Sequence, residues 1–386
     1  MEKQKRNSYL SYALIVLLLA ASAALRWLAL PRLNVDMKLF YVEFYGYIAE
    51  RGFRALGDGF SLASPLHLYL IWLATLTRGF LSASTALKLE SIAFDVLSAA
   101  AIYKIVRLKH KDGPLPLLAA ALFLCLPTVI MNSSLWGQID SLYTSFLLWC
   151  VYFLMKDRPL PATVMFGLSI SIKLQAVFLM PFLAVLFFKR RIQWYHVLVP
   201  PLVYILTLIP AVLAGRSFLE LLTLYLSWSG EFQQLAMHAP NLYSFAVGHP
   251  TWRQPILYGG LALAAVVLGG WVFIYARRRF PLDPKRILLM ALVSTALVPF
   301  VLPRMHDRYF YPADTLSFAL AFLVPSFWYA PIGYQVISSL AYVLFLFSVT
   351  EQQSNLFLLT AILLNTGMVA HLLVRQWRET RSEAGE

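Results

Sequence analysis

YLSYALIVLLLAASAALRWLAL, residues 9–30, is an apolar run without a break, preceded by the basic leader Met1–Arg6. As a helix it is long enough to cross about 30 Å of hydrocarbon. A secretory signal peptide has a similar basic flank. The length of this run, and the many apolar runs that follow it, make it a retained first helix instead. The whole chain repeats the theme. Its 386 residues are 60% hydrophobic with mean hydropathy +0.67, well above the roughly 45–50% apolar usage of a soluble domain. A β-barrel is excluded by pattern, because barrel strands alternate in short segments and these runs are apolar throughout. The chain therefore reads as an all-α polytopic membrane protein, a single domain over residues 1–386.

The formal charge of +13 does not point to a nucleic-acid partner. Lys and Arg collect in short connectors, at Met1–Arg6, Lys104–Lys111, Lys156–Arg158, Lys189–Arg191, Arg277–Arg286 and Arg375–Arg381. Basic connectors of this kind orient a membrane protein with those loops in the cytoplasm. Spans are expected at about 85–108, 114–132, 136–155, 160–173, 175–188, 194–214, 255–277, 285–302, 308–326, 330–349 and 354–375. With the first helix this makes a bundle of about twelve, both termini cytoplasmic. Cys125 and Cys150, the two cysteines, both lie in apolar stretches and offer neither a disulfide framework nor a zinc-ligand spacing.

Two polar stretches fall outside, at 31–84 and 215–254. In the first, Met37, Phe40, Tyr41, Phe44, Tyr45 and Ile48 follow helical spacing and form one apolar face. Asp36, Glu43 and Glu50 recur every seven residues on another stripe, and Gly52 can end the helix. The expectation is an amphipathic helix lying in the outer interface. Residues 66–80 are apolar but short, and a re-entrant or interfacial segment keeps Lys104–Lys111 inside. In the second stretch, Ser217–Trp228 is also amphipathic.

The polar residues left on the outer side are the candidate site. Charged groups in or at the ends of membrane spans cost about 2.5–3.5 kcal/mol at mid-bilayer and usually mark a cavity or a partner. Asp36 follows the first helix and suits either a general base on a hydroxyl or an N-terminal helix cap. WGQID, Trp136–Asp140, offers Gln138 and Asp140. Asp140 can orient an acceptor, pair with a cation, or cap the following helix, and Trp136 reads as an interfacial belt residue. Lys173, in SIKLQ, can hold a phosphate as a point charge or snorkel at a span end, with Gln175 beside it. His238–Asn241 lies on the same side, with Asn241 as a supporting residue. LPRMHDRY, Leu302–Tyr309, brings Arg304, His306 and Arg308 against Asp307, a patch suited to a phosphate leaving group. Asp95, deep in a span, reads as structurally paired. No DxD motif, Gly-rich phosphate loop or nucleotide fold occurs, so neither a metal nor a cofactor is called for and the donor has to come from the membrane.

In this order, Asp36, Ser64-Pro65-Leu66, WGQID at 136–140, SIKLQAVFLMP at 171–181 and LPRMHDRYFYP at 302–312 resemble the GT-C superfamily of integral-membrane glycosyltransferases. The likeness covers about residues 9–326. It is nearest to the prokaryotic branch related to the glycosylphosphatidylinositol-anchor mannosyltransferases, with similarity to the dolichyl-phosphate-glucose glucosyltransferases. Where the latter carry His-Glu-Lys, this chain has His306-Asp307-Arg308, which keeps the charges and alters the geometry. The resemblance implies Asp36 as catalytic base, with Lys173, Arg304, His306 and Arg308 on the donor phosphate. It implies an inverting transfer of mannose or glucose from a polyprenyl-phosphate donor to a glycolipid, glycan or protein. The reaction would occur at the extracytoplasmic face of the plasma membrane, among membrane lipids. A lipid-linked-sugar flippase is the other class that fits the spans, although no internal repeat supports it.

Overall fold

A computed structural model describes residues 2–227, 234–244 and 250–381, with the side chains of residues 2–8 left aside. Trp228, at the end of the second amphipathic stretch, lies outside the described residues. Nearly everything described is helical, as the apolar runs require. Contacts divide the chain into two compact units, one of residues 1–150, 163–174 and 198–231, the other of residues 151–162, 175–197 and 232–386.

The first unit contains α1 (Glu2–Ala29), α2 (Val42–Arg51), α3 (Pro65–Thr75), α4 (Ala83–Arg107), α5 (Leu115–Leu124) and α6 (Pro127–Ile130). It also takes the start of α7 (Asp140–Met155) and the end of α8 (Pro159–Ile172). Two π-helical turns interrupt the regular helices, Met37–Tyr41 ahead of α2 and Met131–Trp136 after α6. Pro127 lacks the N–H that would continue α5 and forces Leu126 out of helical conformation (ψ 134°). The pair bends by 50° there.

The helix expected after α1 exists and ends at Gly52, with φ 64°. Its apolar face is not left to the membrane interface. Met37, Tyr45 and Ile48 are buried against Leu68 and Ile71 of α3 and Ala86 and Leu87 of α4. The 66–80 segment therefore serves partly as a floor for α2, and only the Leu39–Phe40 corner remains about half exposed.

Arg26 of α1 is buried and pairs with Asp95 of α4. Its Nη1 donates to Asp95 Oδ2 at 2.7 Å and to the hydroxyls of Ser133 and Ser134 at 2.8 and 2.9 Å. Its Nη2 donates to the Leu124 carbonyl at 3.1 Å. The expected structural pairing of Asp95 is thus met by a residue that the reading of the first helix passed over. Lys88 of α4 donates to the carbonyls of Ala29, Leu30 and Arg32, at and just beyond the end of α1.

The second unit contains α9 (Met180–Phe188), α14 (Arg253–Arg277), α15 (Pro284–Val301), α16 (Tyr311–Leu323), α17 (Tyr329–Leu346) and α18 (Glu351–Glu379). Between α9 and α14 come α10 (Trp194–Val197), α11 (Val199–Leu213), α12 (Phe218–Leu222) and α13 (Leu224–Ser227), the last three in the first unit. Arg286 to Val301 of α15 are all buried, as expected of a helix that is apolar on every side. Two short strands, β1 (Ala236–Met237) and β2 (Met305–His306), pair in parallel.

The expected count of twelve spans is not reached. Among the described residues six helices are long and apolar enough to cross a membrane, or seven with the bent pair. Helices stand near every expected position, but several are cut short. Residues 140–155 and 159–172 form helices of 16 and 14 residues, about 21–24 Å at 1.5 Å per residue and short of the roughly 30 Å core. Pro127 breaks the span expected at 114–132, while the interruptions at Lys173 and Pro325 fall where boundaries between spans were expected.

Replacing Arg26 with Leu strands the Asp95 carboxylate in an apolar interior. The expected loss is about 3–5 kcal/mol of stability, with R26L/D95L recovering most of it. Thermal unfolding of the detergent-solubilised protein reads both, and equal losses in single and double variants would show that the pair is not what holds these helices.

Candidate functional site

In the first unit the expected residues gather on the turn that follows α6. The π-helical stretch ends at Gly137, whose φ of 75° requires the left-handed region. A Cβ there would lie 2.7 Å from Met37 Sδ and 3.3 Å from Lys88 Cγ. Glycine is therefore needed twice, for its conformation and for the close approach of the neighbouring chain.

Asp36 is not a helix cap. Its side chain makes no capping bond, and Asn34 Oδ1 takes the Met37 N–H instead at 3.0 Å. Trp136 Nε1 and Gln138 Nε2 both donate to Asp36 Oδ2, at 3.0 and 2.6 Å. No hydrogen bond reaches Oδ1 among the described residues, and the residue is half-buried. Trp136 is thus fully buried and holds a carboxylate, where the sequence suggested a belt residue at the membrane surface. Gln138 is held in turn. Tyr41 Oη donates to its Oε1 at 3.2 Å, and Ser91 Oγ donates to its carbonyl at 2.9 Å.

Asp140 is the first residue of α7 and is fully buried. Of the roles open to it, pairing with a cation is the one found. Lys173 Nζ donates to Asp140 Oδ1 at 2.5 Å, and Asn132 Nδ2 donates to Oδ2 at 3.0 Å. The Lys173 ammonium also sits 5.6 Å from the Tyr143 ring centre. Ser64 helps to place it, by capping α3 through the His67 N–H and donating to the carbonyl of Ile172 at 2.8 Å. Lys173 neither snorkels to a surface nor stands open to a phosphate; its charge is balanced inside the unit.

Two residues that sequence reasoning passed over adjoin this group. The His67 ring lies edge-on to Tyr41, 5.8 Å between centres, and its Nε2 is 3.9 Å from Glu90 Oε1. Burial, with the Lys173 charge adding to it, pushes the His67 imidazole down to about 3. The available signal was a second carboxyl, Glu90, in the same apolar span as Asp95.

The remaining expected residues belong to the second unit. Asn241 closes the C-terminal end of α15. Pro299 inside that helix disturbs its ladder, and Asn241 Nδ2 donates to the carbonyls of Pro299 and Leu302 at 3.3 and 3.1 Å. Tyr243 Oη donates to the Val301 carbonyl at 2.9 Å. The same loop is stitched to LPRMHDRY: Arg304 N donates to Leu235 O at 2.7 Å, and Asp307 N to Met237 O at 3.0 Å. Arg304 and His238 both have left-handed backbones, with φ 63° and 55°, a strained conformation that clusters at functional loops. Asp307 is buried and accepts the Arg308 N–H at 2.9 Å. The His306 and Tyr309 rings stack at a tilt, 5.1 Å apart. Gln175 Nε2 donates to Tyr309 Oη at 2.8 Å, a bond within the second unit.

Among the described residues no group of three or more His, Cys, Asp or Glu could hold a metal ion. The arrangement offers a half-open carboxylate fixed by two N–H donors in one unit, and a strained loop with Arg304, His306 and Arg308 in the other.

Residues 64–303 match the sequence profile of glycosyltransferase family 87. That span is more than half of the 386-residue chain. The chain belongs to glycosyltransferase family 87. No curated protein matches it. Family 87 is of the GT-C type, so the resemblance to membrane glycosyltransferases holds at that level, and the chain is a membrane glycosyltransferase. The family 87 match contains Gln138, Asp140, Lys173, Gln175 and Asn241. It begins after Asp36 and ends one residue before Arg304.

Gly137→Ala is expected to lower the unfolding temperature, since the left-handed backbone alone costs about 1–2 kcal/mol without glycine and the added methyl displaces Met37. Differential scanning measurements on the purified protein check this. An unchanged midpoint would mean that the turn tolerates a side chain.

Proposed function

We propose that this family 87 member moves a hexose, mannose or glucose, from a polyprenyl-phosphate carrier to an acceptor hydroxyl, with inversion at the anomeric carbon. The single observation that carries the reading is the Asp36 carboxylate. Trp136 and Gln138 fix one oxygen, and the other is left for a proton. An acceptor hydroxyl gives its proton to Asp36 as its oxygen bonds to the anomeric carbon. The bond from that carbon to the phosphate oxygen breaks on the opposite side, and polyprenyl phosphate departs with the electron pair.

Arg304, His306 and Arg308 are assigned to the departing phosphate, where donors aimed at developing charge are most effective. Asp307 positions Arg308 through the backbone N–H bond. Gln175 positions Tyr309, and Asn241 holds the loop to the end of α15. The balanced Asp140–Lys173 pair is assigned a positioning role, keeping the Trp136–Gln138 turn in place, rather than a contact with phosphate. The absence of a Gly-rich nucleotide loop from the sequence supports a lipid-borne donor. Basic connectors in the cytoplasm would set the reaction at the extracytoplasmic face of the plasma membrane, with both termini inside. Membership of a glycosyltransferase family favours sugar transfer over lipid flipping.

Asp36→Asn preserves the shape of the side chain and removes the base. Release of polyprenyl phosphate from a short-chain polyprenyl-phosphate mannose or glucose should fall at least about a hundredfold, with the unfolding temperature kept. Turnover close to that of the unaltered protein would rule out Asp36 as the base.

A further inference from the structure

The connectors that follow α9 and α14 meet around an open cleft of about 400 Å³. Lys189 and Arg191 come from the first, and Arg277, Arg278 and Arg279 from the end of the second helix and its connector. Five of the eight lining residues are thus cations, and none is an acid. All belong to the second unit. Lys189 joins the two connectors. Its Nζ donates to the Arg278 carbonyl at 2.6 Å, across 89 residues, and stands 4.0 Å from the centre of the Phe280 ring.

The carboxylates of the neighbouring segments are committed. Asp157 pairs with Arg191, Asp283 with Arg286, and Glu379 with Lys285 and Arg375. Among the described residues no carboxylate pairs with Lys189, Arg277, Arg278 or Arg279. The Arg277 and Arg278 guanidinium groups lie over the rings of Phe273 and Trp377, 5.5 and 3.7 Å from their centres. Arg278 Nη1 is closed to solvent and has no hydrogen-bond partner. The preference of basic residues for one side of a membrane accounts for their number. It does not call for five of them around one cleft, where like charges repel. A bound anion removes that repulsion.

The surface leading to the cleft is apolar. Phe188 ends α9 directly before Lys189, and Phe273 and Ile274 come shortly before Arg277 on α14. All three are exposed, and α14 is mostly exposed along its apolar length. A soluble anion makes no use of such a surface. A phospholipid does, with its acyl chains along the helices and its phosphate among the cations.

We infer that this cleft binds the headgroup of an anionic phospholipid, in the leaflet on the side of the basic connectors. The site goes beyond the reading of the reaction and does not depend on Asp36. Four cations remain once Arg191 is paired with Asp157, more than one phosphate neutralises. A headgroup with two phosphates therefore binds more tightly than one with a single phosphate.

The test uses the full chain in a neutral detergent. Its unfolding temperature is followed against rising mole fractions of phosphatidylglycerol, cardiolipin, phosphatidylcholine and short-chain polyprenyl phosphate, and against inorganic phosphate in the buffer. Both anionic phospholipids should raise it, cardiolipin at the lower mole fraction, while phosphatidylcholine and inorganic phosphate should not. In the double variant Arg277→Gln, Arg279→Gln, the mole fraction that gives half the shift should rise about tenfold or more. Both side chains are exposed, so the unfolding temperature without added lipid should be kept. Arg279→Gln alone should act in the same direction by less. The double variant Lys104→Gln, Lys111→Gln removes the same charge from another basic connector and should change the half-point by less than about twofold.

No stabilisation of the unaltered protein by either anionic phospholipid overturns the inference, as does an unchanged half-point in the arginine variants. Equal loss in the Lys104 and Lys111 variant also overturns it, because the attraction would then belong to the whole basic surface. Inorganic phosphate acting as well as the phospholipids would make the cleft a site for a soluble anion instead. Polyprenyl phosphate binding ahead of both phospholipids, through the same two arginines, would assign the cleft to the sugar carrier and likewise overturn it.

Discussion

The turn from Asn132 to Asp140 is the constraint on which the first unit depends. Its polar side chains close on Arg26, on Asp36 and on one another. Ser133 and Ser134 meet Arg26 of α1, Asn132 meets Asp140, and Trp136 and Gln138 meet Asp36. Polar groups in an apolar interior have to carry their own solvation, since nothing else there can supply it. A regular α-helix would spread these residues around its circumference at about 100° intervals. The π-helical turn between the Pro127 bend and Gly137 lets one short segment face several partners at once.

Much of the fold could be read from the chain because hydrophobic runs and basic connectors are local signals. Helices stand close to each expected position, Gly52 ends α2, and Asp95 is paired. Span number could not be read in the same way. It depends on where a helix stops inside an apolar run: the boundary at Lys173 was marked by its charge, whereas the bend at Pro127 falls inside a stretch expected as one span, 114–132. Trp136 shows the same limit. An aromatic at a span end is a good belt residue by composition, and only its bond to a carboxylate 100 residues earlier makes it an interior one. Arg26 looked like part of a span because its partners lie 69 to 108 residues on.

The candidate site was legible by residue type and less so by role. Asp36, Gln138, Asp140 and Lys173 do come together, but the last two neutralise each other. Asn241 and the 304–308 loop also belong together, through a two-residue strand pair that no periodicity could announce. Glu90 and His67 face each other only through the packing of α3 on α4, which sequence spacing does not show.

The bonds that hold Asp36 have a bearing on how the protein is made. Its carboxylate lies at the end of the first helix, yet both of its donors come from about a hundred residues later. At roughly 5–20 residues per second the ribosome needs about 5–20 s to cover that interval. During that time the first helix and α2 can already be in the membrane while Asp36 has only water to bind. The base would then acquire its orientation late, when the segment after Pro127 arrives and docks, so an unfinished chain would hold the carboxylate but not its alignment.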